Sequence, residues 1–210
     1  MRLIPEYTGD EAGFEWHGAP AIPDFQFQIR TPGLPLGAEP VIDEELNCII
    51  GYERTLGGVT HLYDLQGDLV SISELPLESP LLDPLDIALA GYGLLRLGGS
   101  ALFKSGASVG IRRAVGNLAI SGLRTRFAAL TRQPLKFAAA PLAHMSEPGR
   151  YVPHHILKLA IRYGKRVADP LGHAGVFQYT IKMTKNGKPY LLEVVVRERD
   201  FTILHFLYKS

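Results

Sequence analysis

"VFQYTIKMTKNGKPYLLEVVVRERDFTILHFLY" (residues 176–208) decides the fold of the second half of this chain. β-branched, aromatic and polar residues alternate along it. Asn186-Gly187 at its first break is the pair that a type I′ hairpin turn demands, because both central positions need positive φ. "RERD" (197–200) supplies the second break. The spacing predicts three antiparallel strands, with 185 opposite 188, 182 opposite 191 and 180 opposite 193. A tight turn after Arg197 carries the same parity onto the third strand. One face then holds Phe177, Tyr179, Ile181, Met183, Tyr190, Leu192, Val194, Val196, Phe201, Ile203, His205 and Leu207. The other holds Gln178, Thr180, Lys182, Glu193, Arg197, Thr202 and Tyr208, diluted by Val195, Leu204 and Phe206. Side chains alternate with period two, so a slip of one residue or a single bulge exchanges part of these sets.

The stretch just upstream, "YVPHHILKLAIRYG" (151–164), reads as a helix opening at Pro153 and closing at Gly164. Val152, Ile156, Leu159, Ala160 and Tyr163 form a one-sided apolar stripe that suits the apolar face of the sheet. His155, Lys158, Arg162, Lys165 and Arg166 lie on the other side or just past its end. They are five basic or titratable groups with no acid among them. One helix on a three-stranded antiparallel meander is an α+β unit, and Pro148-Gly149 marks its start.

The rest of the chain reads less sharply. Residues 1–40 are rich in Pro and Gly, and 41–73 read as a small β-meander of about three strands, with Gly57-Gly58 and Gln66-Gly67 as turns. Asp83 before Pro84 caps a Gly-rich apolar stretch reaching Phe103, whose only charges are Asp86 and Arg96. Its length approaches a membrane span, but its glycines favour a buried helical hairpin. Residues 107–150 are cationic and helical or partly disordered. The predicted architecture is therefore α+β in three parts. An acidic β-rich region covers 1–80, a helical Gly/Ala-rich region 81–147, and a basic α+β domain 148–210.

Charge separates the halves. Residues 1–100 carry four Arg, no Lys and 16 acids, a net of −12, whereas residues 101–210 net +13. A basic half of this strength suits a polyanion partner. The opposing bland reading is that the two halves neutralise each other. Cys48 is the single cysteine, so no internal disulfide forms. The opening residues lack the basic-then-apolar pattern of a secretory leader. Export is then expected by a route without a cleaved signal, or within a larger assembly. No HxH, HExxH or CxxC spacing is present, which weighs against a set such as Asp169, His173 and His155 holding a metal. A metal-free ribonuclease needs a proton acceptor for the 2′-hydroxyl, a donor for the leaving oxygen and cations for the phosphorane. His, Lys, Arg and Tyr side chains suit those roles, and the C-terminal unit holds all four types.

At residues 152–208 the order of elements resembles the C-terminal toxin domains of bacterial polymorphic toxins. It is a His-bearing helix ending in "GKR", then an antiparallel meander ending in a Thr…His…Tyr strand. More narrowly it is similar to the ribonuclease superfamily that includes barnase, EndoU, colicin and RelE toxins. "DLQGDLVSISELPLESPLLDPLDIALAGYGLL" also resembles the pre-toxin segments of contact-dependent and type VI effectors. The resemblance implies cleavage of RNA, tRNA among the targets, with no metal or cofactor, in a competitor's cytoplasm. It implies a cognate immunity protein with an acidic surface, a secretion apparatus or larger carrier, and no stable membrane insertion. By the same likeness, His155 is the first choice for general acid or base, with His205 or Tyr208 as its partner and Glu193 as an alternative base. Lys158, Lys165, Arg166, Lys182 and Arg197 are the candidate phosphate-binding cations, and Thr202 hydrogen-bonds the phosphate. Two rival classes remain: a non-catalytic nucleic-acid-binding protein whose acidic half docks a partner, and a membrane-active effector using residues 84–103.

Overall fold

A computed structural model describes residues 7–18, 26–74, 109–132 and 134–210, the side chains of 74 and 109–119 excepted. In chain order the strands before the first helix are β1 (Phe14–Glu15), β2 (Phe27–Gln28), β3 (Glu39–Asp43), β4 (Cys48–Leu56), β5 (Val59–Asp64) and β6 (Leu69–Glu74). Then come α1 (Val109–Arg132), β7 (Lys136–Phe137), α2 (Ala139–His144), α3 (His154–Tyr163), β8 (Lys165–Ala168), β9 (Val176–Lys185), β10 (Lys188–Arg197) and β11 (Thr202–Lys209). The mixture of helices and strands agrees with an α+β class. The helical hairpin expected within 84–103 lies outside the described residues.

Two compact units divide the chain, one of residues 1–32, 42–49 and 128–210, the other of 33–41 and 50–127. This differs from the three-part division read from sequence. The basic domain does not begin at 148, because strands from the first 32 residues and the stretch from 128 onward belong to the same unit.

The four-stranded order β3-β4-β5-β6, most of it in the second unit, replaces the expected three strands. Its β4–β5 turn is Gly57-Gly58, with φ of 58° and 82°. Asp64 organises the next turn by accepting hydrogen bonds from the backbone N–H groups of Gln66 and Asp68.

In the first unit the Asn186-Gly187 turn forms as its residues require, with φ of 52° and 74°. β9 and β10 pair in the predicted register, Lys185 opposite Lys188, Lys182 opposite Leu191 and Thr180 opposite Glu193. β11 follows a loop closed by Arg197 opposite Thr202. The full sheet has the order β1-β7-β11-β10-β9-β2, with β8 on the same edge of β9 as β2. β7 runs parallel to β11, and the other pairings are antiparallel.

The third strand departs from expectation at one place. Val196 faces Ile203, but Val195 faces His205, so Leu204 is an extra residue on β11. This β-bulge reverses the parity of everything after it. Phe206 and Tyr208 now lie opposite Val194 and Leu192, and His205 and Leu207 opposite Val195 and Glu193. The side chain of Leu204 is buried with Tyr7, Ala138, Val176 and Val195. Burying a leucine is worth about 1.5–3 kcal/mol, which offsets the ladder hydrogen bond that a bulge forfeits.

α3 packs on β9 and β10, over the face where Leu192, Val194, Val196 and Ile203 are fully buried. It ends at Gly164, which has ordinary extended φ of −68°. Glycine is required there by close approach: a Cβ would lie 2.4 Å from the Ala160 carbonyl oxygen. The polar side of this helix is only partly solvated: His155 and Lys158 are buried, whereas Arg162 is exposed.

Candidate active site

The sealed side of α3 removes the first-choice catalytic residue. His155 is 1% exposed. Burial, reinforced by the charges of His154 and Lys158, pushes its pKa down to about 3, so it sits in the core as a neutral ring. Lys158 is largely buried as well. Its Nζ donates to the carbonyl oxygens of Leu130 (2.6 Å) and Thr131 (3.1 Å) in the last turn of α1. A helix leaves its final carbonyls without internal partners, and a lysine is well suited to cap them. Both residues are therefore structural, and the expected acid/base and phosphate-binding roles are corrected.

Tyr208 is corrected as well, because the bulge moves it to the helix-covered face. Its hydroxyl donates to the Gly149 carbonyl (2.7 Å) and accepts from Lys185 Nζ (2.5 Å). Its ring meets Phe27 and Tyr190 edge-on. Arg166 falls on this same face, opposite Tyr179. It is held by Glu198 through two hydrogen bonds, of 2.7 and 2.9 Å, and covers the Phe177 ring at 3.4 Å. Tyr179 hydrogen-bonds the same carboxylate, so Arg166 is engaged within the protein.

The opposite face of the sheet gathers the rest. Successive cross-strand rows place Arg197 with Thr202, then Gln178, Val195 and His205, then Lys165, Thr180, Glu193 and Leu207, then Lys182, Leu191 and Lys209. Lys165, Lys182 and Lys209 are exposed. Lys209 Nζ sits 2.6 Å from Glu193 Oε1. His205 was assigned to the apolar set from its parity, yet the bulge delivers it to this polar face beside Glu193. Its Nε2 is buried and has no hydrogen-bond partner among the described residues. Burial lowers its pKa, as do the charges of His144 and Arg150, against an opposing contribution from Glu193. The imidazole is thus neutral at pH 7 and able to accept a proton.

Arg197 and Thr202 are on this face but buried. Arg197 Nε and Nη2 donate to both carboxylate oxygens of Asp200, at 3.0 and 2.8 Å, and Nη2 also meets Thr202 Oγ1 at 3.3 Å. The Asp200 carboxyl is held down to about 2, first by the Arg197 hydrogen bonds. The remaining edge of the guanidinium, Nη1, donates to the Gly9 carbonyl at 3.0 Å, so in this fold Arg197 and Thr202 are engaged within the protein instead of being open to the phosphate expected from sequence.

One constellation was not assigned to this site from sequence. His173 Nδ1 lies 2.6 Å from Asp169 Oδ2, and the backbone N–H of His173 donates to the same oxygen at 3.0 Å. The other carboxylate oxygen accepts the Tyr7 hydroxyl. Burial pushes the Asp169 carboxyl up, but hydrogen bonds from Tyr7 and His173 outweigh it and leave the pKa lowered. An ionised carboxylate can only accept, so His173 Nδ1 donates to Asp169. The i, i+4 spacing in "DPLGH" was the available signal. Tyr7 bridges the two histidines, its ring 5.5 Å from that of His173 and 6.4 Å, nearly parallel, from that of His205.

Among the described residues no group of three or more His, Cys, Asp or Glu is arranged to hold a metal ion, and no helix is long and apolar enough to cross a membrane. Compared with protein-family models, curated proteins and solved structures, the chain matches none of them.

Proposed function

We propose that this chain is a metal-independent endoribonuclease, the toxin part of an antibacterial effector, whose active site is the sheet face bearing His205, Glu193 and Lys209. The observation that carries the reading is the Leu204 bulge. It places a neutral, unpartnered imidazole nitrogen beside an ion-paired carboxylate and among three exposed lysines. In this reading His205 Nε2, buried in the folded chain and uncovered when RNA binds, takes the 2′-hydroxyl proton as the 2′-oxygen attacks phosphorus. A P–O2′ bond forms and the P–O5′ bond breaks. The Lys209 ammonium, positioned by Glu193, protonates the departing 5′-oxygen. Lys165 and Lys182 neutralise charge on the phosphorane, and Thr180 donates a hydrogen bond to it. Correct placement of such a proton acceptor contributes roughly 10²–10⁴-fold to rate.

Delivery through a contact-dependent or type VI route, action on tRNA in a competitor's cytoplasm and neutralisation by an acidic immunity protein rest on the family resemblance alone. The exposed lysines give such an immunity protein a surface of opposite charge. The reading is tested with purified protein and a labelled RNA in excess EDTA. It expects a 2′,3′-cyclic phosphate product and at least a hundredfold loss in His205→Ala. Binding of RNA without cleavage, by the native chain and by an Asp10→Asn variant alike, would make the protein a binder rather than an enzyme.

A further inference from the structure

The segment Tyr7–Gly13 crosses the active face next to His205, where Tyr7 packs with Ala138, Val176, Val195 and Leu204 and the segment also meets charged and titratable groups. Tyr7 is 7% exposed, with its ring between His173 and His205 and its hydroxyl on Asp169. The Gly9 carbonyl takes the one edge of Arg197 that Asp200 and Thr202 leave over. Gly9 has φ of +89°, and a Cβ there would come within 3.0 Å of the His173 ring. Asp10 pairs with Arg199 at 3.6 Å, both side chains being largely exposed. The charge of Arg197 is stabilised first by Asp200 and, at longer range, by Glu11 and Asp10. The Glu11 side chain turns back to accept from the Thr8 backbone N–H.

We propose that residues 7–11 occupy a nucleotide slot of this enzyme as an internal stand-in for its RNA, an inference that rests on the ribonuclease reading. Tyr7 takes the place of a base stacked against the two imidazoles, as aromatic and His rings receive unstacked bases in single-stranded RNA. The Gly9 carbonyl oxygen takes the place of a phosphate oxygen on Arg197 Nη1, and Asp10 that of the next phosphate on Arg199. Nη1 of Arg197 is pre-aimed because its other edge is fixed by Asp200, and a fixed guanidinium fork is well suited to phosphate. Withdrawal of the segment opens a slot with His173 on one wall and His205 on the other. It also uncovers the side of His205 on which Tyr7 now lies. The chain as folded is thus partly self-inhibited, and RNA must displace its own residues 7–11 to bind.

The experiment uses the full chain and a fluorescent, uncleavable 2′-O-methyl pentanucleotide, with a 2′-hydroxyl oligonucleotide of the same sequence for cleavage. Tyr7→Ser should bind the uncleavable probe about tenfold more tightly. Asp10→Asn should gain about threefold, and Glu44→Gln, the same change of charge at an exposed site outside the slot, should gain nothing. Cleavage should follow as a lowered KM with kcat little changed. Asp10 is largely exposed, so its variant tests the idea even where Tyr7→Ser fails to fold. Equal binding by Asp10→Asn and Glu44→Gln overturns the slot and leaves the ribonuclease reading to its own assay. Tighter binding by the Tyr7 and Asp10 variants with no cleavage by any variant supports the slot and removes the nuclease.

Discussion

The two faces of the β9–β10–β11 meander carry the same residue types to different ends. On the side of α3, His155, Lys158, Arg166 and Tyr208 all end in contacts with the protein itself: core packing, a helix cap, a paired carboxylate and a backbone carbonyl. On the opposite side, Lys165, Lys182 and Lys209 are exposed, and the buried His205 Nε2 has no hydrogen-bond partner among the described residues. A histidine-and-lysine-rich sequence therefore says little about function until the layer above each face is known. The helix-covered side is sealed twice, by the sheet beneath α3 and by the end of α1, whose carbonyls Lys158 caps.

The largest expected effect breaks the comparison into activity and stability. His205→Ala should lower RNA cleavage by at least a hundredfold and leave the melting temperature within a few degrees. His155→Ala should do the converse. Emptying a core site of this size costs about 2–4 kcal/mol, read as a lower urea midpoint, with the cleavage rate of the remaining folded protein unchanged. If both variants moved the same quantity, the two faces would not differ in kind.

Acid should act next, through the sealed face. His155 stays neutral in the folded protein down to about pH 3, whereas in the unfolded chain it takes a proton near pH 6.5. The unfolded state therefore binds more protons below that point, and stability falls as pH drops. The slope from this one ring is up to about 1.4 kcal/mol per pH unit below roughly pH 6. His154, pushed by burial to about 4, titrates in the same direction. Urea unfolding of the native chain and of His155→Leu between pH 7 and 5 checks this, the variant showing the shallower dependence.

Smaller effects sharpen the picture. Lys158→Met keeps the apolar stem but leaves the Leu130 and Thr131 carbonyls without their donor. It should cost about 1–3 kcal/mol, with RNA affinity unchanged because the ammonium is committed to those two carbonyls. Phe201 is exposed and holds φ of 51°, a conformation that costs a non-glycine residue about 1–2 kcal/mol. Phe201→Gly should therefore raise the melting temperature by a few degrees, the gain in backbone freedom reducing the benefit.

The hairpin, its register and the α3 stripe were legible because each is local. Asn186-Gly187 fixes one turn, alternation fixes the pleat, and an apolar stripe at helical spacing shows which side seeks the core. The bulge had no such mark. "TILHFLY" contains neither Gly nor Pro, and Leu204 turns inward to join Val195 of the neighbouring strand and Tyr7, Ala138 and Val176, which are distant in sequence. That one long-range preference exchanged His205 and Tyr208 between faces. The burial of His155 and Lys158 was hidden for a related reason. A stripe shows which side of a helix is apolar and nothing about whether another element covers the polar side. The short strands β1, β2, β7 and β8 owe their existence to neighbours and carry little pattern of their own.

β11 lies between β7 and β10, running parallel to the former and antiparallel to the latter. The β9–β10–β11 hairpins close over short sequence distances, whereas β7, and β1 through it, gain an edge to pair with only once β11 is in place. Assembly of the first unit should accordingly run from its last strands outward, and the far edge should be the first to exchange its amide protons. Residues 7–13 lead directly into β1, so the covering of the face that bears His205 would be the final event of folding and the earliest loss on warming.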